Sequence, residues 1–345
     1  MRTLLTGDIG GTKTLLSLHG ERGGTLHDLA SHRYPSAEWA ELAPLVRHFL
    51  GEADVAALPR PAAACFAVAG PVRGGQARLT NLPWQLSEAG LAAATGIAAV
   101  SLVNDFAVLV HGLPHLEASQ WAPLRPGTAA PDGPVLVVGA GTGLGVAIGV
   151  PTETGLIALA SEGGHTGFVA RNAQEADLAG WLQRDLGLER LSVERIVSGT
   201  GLGHVARWLL ATHDAGAGHA LAAVASAWQA GSSGAVAGRP DLPAAVAAAA
   251  AKGDGLARQA LDLWLGAYGA AVGDLALTCL PSGGIWLAGG TAARLLEELR
   301  GPLFESAFLG KGRLRSALEP LAIRAALDPR LGTFSAAWRA RGLLG

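Results

Sequence analysis

The sequence predicts an α/β fold built from two domains, and three observations carry that reading. At 345 residues the chain is long enough for two domains, each with a substantial core. Each half opens with an apolar strand, a glycine turn and a second strand: "LLTGDIGGTKTLLSL" (4–18) and "VLVVGAGTGLGVAIGV" (135–150). Late in the chain, "GGIWLAGGTAARLLEEL" (283–299) joins an apolar strand, through Gly289 and Gly290, to a helical pattern with an apolar stripe.

Composition excludes several function classes. Half of the residues are apolar and 16% are charged, as in an ordered, packed chain. A formal net charge of −2 gives no basic footprint for nucleic acid. Cys65 and Cys279 are far apart and each alone, so neither a disulfide framework nor a structural zinc site is expected, and a reducing, cytoplasmic compartment fits. The apolar stretch at the N-terminus is too short for a signal peptide, and the long uncharged run Ala220 to Gly238 is mostly Ala, Gly and Ser. The expectation is a soluble protein with no membrane partner.

"GDIGGTKT" (7–14) is not a P-loop. A Walker A motif read from Gly7 needs a second glycine where Thr12 stands, and the following residues read as a strand rather than a helix. The reading is a hairpin of Thr3–Ile9 and Thr12–Leu18, in which Gly10 and Gly11 permit positive φ and turn their N–H groups toward phosphate oxygens. Thr12 adds a hydroxyl, and Asp8 makes sense beside phosphate through Mg²⁺, usually across water. The second hairpin is likewise not a dinucleotide fingerprint: Leu144 or Val146 stands where the last glycine or alanine belongs. Two such hairpins point to an internal duplication.

Between them, "SLVNDFAVLVHGL" (101–113) delivers Asn104 and Asp105 at the carboxyl end of a strand, where α/β sheets place ligands. A carboxylate there suits a general base that takes a hydroxyl proton during phosphoryl transfer. A turn or helix cap explains the same pair on local grounds. "SEGGHTGF" (161–168) offers Glu162 and His165, and "SVERIVSGTGL" (192–202) offers Glu194 on a short helical stretch. Carboxylates, amides and imidazole grip vicinal sugar hydroxyls, although solvated acids and a loop histidine are the plainer alternative.

The hairpins and the strand–GG–helix unit resemble the phosphate 1, phosphate 2 and adenosine elements of the actin-like ATPase superfamily. With "FAVAGPVRGGQARLTNLPWQL" (66–86), "LVNDF", "SEGGH", "VERIVSGTGL", "LAGG" and "KGRLRSAL" (311–318), nearly the whole chain resembles the bacterial glucokinase family. The resemblance implies a two-domain actin-like ATPase (ribonuclease H-like) fold with a cleft between the domains. It implies phosphorylation of D-glucose at the 6-hydroxyl by ATP with Mg²⁺, and a homodimer. Asp105 would be the catalytic base, and Asn104, Glu162, His165 and Glu194 would join it on the hexose. Gly10, Gly11, Thr12, Gly141 and Thr142 would hold the ATP phosphates, Gly289 and Gly290 the nucleoside, and Asp8 the metal. Asn81 and Trp84 would shape the sugar-pocket wall or simply pack.

Two departures stand out. Lys13 is typical of the related ROK sugar kinases, whose cysteine-rich zinc motif this chain lacks, and Thr200 stands where the family commonly has proline. Alternatives are a kinase for mannose, fructose or an amino sugar, or one using polyphosphate as donor. More remote are a sugar-responsive regulator and an actin-like ATPase. Expected domains are 1–112 with about 323–345, and about 113–322. An Ala-rich helical section spans about 204–280, broken at "GSSGAVAGRPDLP", and "PLRPGTAAPDGP" (123–134) reads as a surface connector.

Overall fold

The computed structural model describes residues 1–79, 82–153, 155–213, 216–230 and 240–345. Asn81 and most of the break at 231–243 therefore lie outside the described residues. Two compact units are formed: residues 1–119, 152–160 and 328–345, and residues 120–151 and 161–327. The first break thus falls at 119/120 rather than 112, and the last at 327/328 rather than 323.

In the first unit a five-stranded sheet runs in the order β3-β2-β1-β4-β5, with β1 Arg2–Ile9, β2 Lys13–Arg22, β3 Thr25–Pro35, β4 Ala63–Val68 and β5 Ala99–Asn104. β1 and β2 form the first hairpin, antiparallel from Arg2↔Glu21 to Ile9↔Thr14, while β1/β4 and β4/β5 are parallel. Both faces of β4 are covered, which is why "AACFAV" is apolar without alternation. One face packs under Leu45, Phe49 and the fully buried Trp84, whose Nε1–H donates to the Trp39 carbonyl at 2.9 Å. Trp84 is therefore a core residue of this unit, not a wall of a sugar pocket. The C-terminal helix Leu331–Gly342 packs its small residues Ala336, Ala337 and Ala340 against β1 and β4.

The second unit repeats the plan. Its sheet contains, in the order β8-β7-β9-β10-β6, the strands β6 Trp121–Arg125, β7 Val135–Ala140, β8 Leu144–Thr152, β9 Gly284–Ala288 and β10 Ile323–Ala326. β7 and β8 form the second hairpin, and β7/β9 and β9/β10 are parallel. The start of the expected connector at 123–134 is instead part of β6, which pairs antiparallel with β10. Pro123 is tolerated because β6 is the last strand in the order. The apolar stripe after Gly290 forms two short helices, Gly290–Arg294 and Leu296–Leu299. Helices Gly199–Thr212, Leu242–Ala251 and Gly255–Cys279 complete the core. Among the described residues Gly255–Cys279 is the one helix long and apolar enough to cross a membrane, and 72% of its apolar window is buried within the protein.

Directly after β5, the short helix Ala107–His111 carries His111 into a half-buried position. Loss of hydration, reinforced by the positive charge of Arg339, pushes the imidazole down to about 4. The unfolded chain takes up this proton near pH 6.5, and the folded chain only near pH 4. The penalty from this group is therefore absent above pH 6.5 and grows as pH drops through that window. We expect His111→Gln to remove part of the acid destabilisation, roughly 5 °C of the melting-temperature drop between pH 7 and 4.5. Thermal scans across pH check this; superimposable pH profiles of the variant and wild type would contradict it.

Candidate active site

In the first unit the expected site residues lie at the carboxyl ends of β1 and β5. The turn of the first hairpin closes with Gly10 N–H donating to the Lys13 carbonyl at 3.1 Å. Neither Gly10 nor Gly11 takes a positive φ, which corrects the expectation of a left-handed turn. The turn is instead shaped by Ser36, a fully buried residue that sequence reasoning missed. Its Oγ–H donates to the Gly10 carbonyl at 2.9 Å, and its N–H donates to the Thr12 carbonyl at 3.0 Å. Across a trans peptide the N–H points opposite to the carbonyl. Tying the Gly10 carbonyl therefore turns the Gly11 N–H outward.

Asp8 lies one residue before the end of β1, solvent-exposed at its side chain. Protein bulk nevertheless strips part of its hydration and raises its carboxyl above the ordinary value, with Arg33 opposing. A cation there would restore the charged form. Lys13 is exposed at the start of β2.

Asn104 and Asp105 close β5. The Asn104 amide works in two directions: Oδ1 accepts from Phe106 N–H at 3.1 Å and Ala107 N–H at 3.0 Å, and Nδ2 donates to the Gly70 carbonyl at 3.2 Å and to Asp105 Oδ1 at 3.1 Å. The Asp105 N–H donates to the Val68 carbonyl at 2.9 Å. The cap reading and the functional reading are thus compatible: the Asn104 side chain closes the turn and also aims an exposed carboxylate.

In the second unit the structure brings Glu162, His165 and Glu194 onto adjoining segments. Glu162 caps and His165 ends the short 3-10 turn Gly163–His165, their side chains 3.7 Å apart and both exposed. The strip after them runs beside the Glu194 segment, with Val193 N–H on the Thr166 carbonyl at 2.9 Å. Gly164 fits because it has no side chain: a Cβ would lie 2.1 Å from the Leu144 carbonyl. Glu194 reaches the second hairpin, its Oε2 accepting from Leu144 N–H at 2.9 Å.

That hairpin is tied down from three sides. Thr291 Oγ1 donates to the Ala140 carbonyl, Gly199 N–H to the Gly141 carbonyl at 2.7 Å, and Thr200 Oγ1 to the Thr142 carbonyl at 2.8 Å. Gly199 starts a 14-residue helix whose N-cap, Ser198, accepts from Gly201 N–H. The buried Trp264 fixes that cap, with Nε1–H on the Ser198 carbonyl at 2.9 Å. Gly289 holds φ +86°, a conformation that side chains resist, and is the N-cap of the helix carrying Thr291. These elements line a cavity of about 1000 Å³ within the second unit, bordered by Gly141, Thr142, Thr200, Gly290 and Thr291. Helix N-termini and unpaired backbone amides in such a cavity favour an anionic ligand such as phosphate.

Comparison with known proteins agrees with this architecture. The family model described as Glucokinase matches residues 5–342. A glucokinase of Nostoc punctiforme is 38% identical over 339 residues, 98% of each chain. The solved structure of glucokinase from an Antarctic psychrotroph superposes with a TM-score of 0.78 at 26% identity, covering 99% of both chains. A ROK family glucokinase from Streptomyces griseus, solved in complex with glucose and AMPPNP, shares the fold at 20% identity, with a TM-score of 0.59 and coverage of 98% and 99%.

The contact of Gly164 with the Leu144 carbonyl yields a direct test. Gly164→Ala forces the turn off the hairpin and is expected to cost about 1–3 kcal/mol of stability. Denaturant titration measures this; a variant as stable as the parent would show that the turn has room to spare.

Proposed function

The chain belongs to the glucokinase family, and on that premise we propose that it transfers the γ-phosphoryl group of ATP to the 6-hydroxyl of D-glucose, giving glucose 6-phosphate and ADP. The observation that carries the reading is Asp105, an exposed carboxylate directly after strand β5, held by the amide of Asn104. In the proposed reaction Asp105 accepts the proton of the 6-hydroxyl as that oxygen attacks the γ-phosphorus. The new P–O bond forms while the bond to the bridging β–γ oxygen breaks, and ADP leaves with that electron pair. A base so placed contributes about 10²–10⁴ in rate.

The other residues bind and orient. Glu162, His165 and Glu194 offer acceptors and donors to the sugar hydroxyls, and the requirement to satisfy them all discriminates among sugars. The amides of the first hairpin, with Gly11 foremost, and those at Thr142 and Gly143 face the phosphates, while Gly289 and Gly290 leave room for the nucleoside. Asp8 fits a magnesium site of the kind that relies on one carboxylate, phosphate oxygens and water. Among the described residues no cluster of three metal-binding side chains supplies an all-protein cage, and this ion does not need one. Mg²⁺ bound with ATP neutralises phosphate charge; Asp8 is the residue that would hold it. We place the reaction in the cytoplasm, where ATP is abundant and the free thiols of Cys65 and Cys279 stay reduced.

Two substitutions test the assignment together. Asp105→Ala is expected to lower kcat by at least about 100-fold while leaving the melting temperature near that of wild type. Glu162→Gln is expected mainly to raise the glucose KM, by roughly tenfold, with kcat little changed. Coupled steady-state kinetics checks both. Turnover at the wild-type rate in Asp105→Ala would remove it from the role of base, and an unchanged glucose KM would take Glu162 off the sugar.

A further inference from the structure

We propose that Thr200 is a positioning residue for phosphoryl transfer: its hydroxyl holds the tip of the second hairpin so that the amide of Gly143 faces the phosphates, beside that of Thr142, which Gly199 orients. The inference rests on the proposed role of that hairpin as a phosphate cradle. The geometry is local and specific. Thr200 is the second residue of the helix Gly199–Thr212, and its Oγ1 donates to the Thr142 carbonyl at 2.8 Å. The residue before it, Gly199, donates its N–H to the Gly141 carbonyl at 2.7 Å. Two successive carbonyls therefore point at the helix start. No cis peptide occurs among the described residues, so the N–H groups of Thr142 and Gly143 point the opposite way. Neither amide has a hydrogen-bond partner among the described residues.

The peptide joining Thr142 to Gly143 is the vulnerable one. It is followed by a glycine, which accepts either orientation of the peptide at little cost. A Cβ at position 143 would lie 2.4 Å from Glu194 Oε2, so a side chain there would have to displace the carboxylate that accepts from Leu144 N–H. Conformational restraint must come from outside the turn, and for this peptide the Thr200 hydroxyl provides it. The threonine does not act as a phosphate donor while it does so. A hydroxyl has one proton, and this one is committed to the Thr142 carbonyl. The first hairpin uses the same device with a different residue, Ser36 on the Gly10 carbonyl.

The test compares Thr200→Val, which keeps the shape and loses the hydroxyl, with Thr200→Ser, which keeps the hydroxyl. Calorimetric affinities for adenosine and for Mg-AMPPNP are measured alongside the KM values for ATP and glucose. For Thr200→Val we expect a loss of about 3–10-fold in Mg-AMPPNP affinity and in kcat/KM for ATP, as for one hydrogen bond. Adenosine affinity and glucose KM should stay at wild-type values, and Thr200→Ser should fall within about twofold of wild type. Unchanged AMPPNP affinity in Thr200→Val would overturn the proposal. So would an equal loss for adenosine, which marks a general packing defect, or a serine variant as weak as the valine one. If the wild-type chain binds AMPPNP yet does not phosphorylate glucose, the proposed function fails, and the ratio of AMPPNP to adenosine affinities still decides the role of Thr200.

Discussion

A backbone turn that binds phosphate must solve one problem before any chemistry: its carbonyls have to be turned away from the anion and held there. Carbonyl oxygens repel phosphate, and an untied glycine turn samples both orientations. Here the carbonyls of Ala140, Gly141 and Thr142 are each bound, by Thr291, Gly199 and Thr200. In the other unit the carbonyls of Gly10 and Thr12 are bound by Ser36. The sheets, helix caps and buried tryptophan behind these turns can be understood as the support that keeps five carbonyls in place.

The support is layered. Parallel neighbours fix each hairpin strand: β1 against β4, and β7 against β9. Strand β9 ends at Ala288 and Gly289 caps the next helix, so the helix carrying Thr291 starts where the Ala140 carbonyl needs a donor. Trp264, deep in the longest helix, pins the cap of the helix carrying Thr200. Glu194 adds a link of a different kind, because the carboxylate proposed to meet sugar also holds the Leu144 amide of the second hairpin. A disturbance at the segments carrying Glu162 and Glu194 therefore reaches the second hairpin through one side chain and through the close fit of Gly164 under Leu144.

Much of this was legible in the sequence because it is local. Apolar strand-like runs on both sides of a glycine turn identified both hairpins, and an apolar strand ending in Asn104-Asp105 marked a carboxylate at a strand end. What was not legible is long-range. Ser36 lies 26 residues from Gly10, Thr200 lies 58 from Thr142, and Thr291 lies 151 from Ala140. No spacing rule links such pairs, and a serine after a proline carries no signal of its own. Composition misled at 123–134, where proline and glycine read as a connector although Pro123 sits in an edge strand. It misled again at Gly10 and Gly11, whose role does not depend on positive φ.

The account as a whole stands on a sugar hydroxyl being the acceptor of the phosphoryl group. The most direct measurement is ADP release, coupled to NADH oxidation, with Mg-ATP and glucose, mannose, fructose, N-acetylglucosamine or no sugar. The account predicts strong turnover with glucose and almost none without sugar. ADP release that proceeds equally with no sugar would contradict it, and faster turnover with another hexose would overturn glucose as the substrate while leaving the phosphate turns as described.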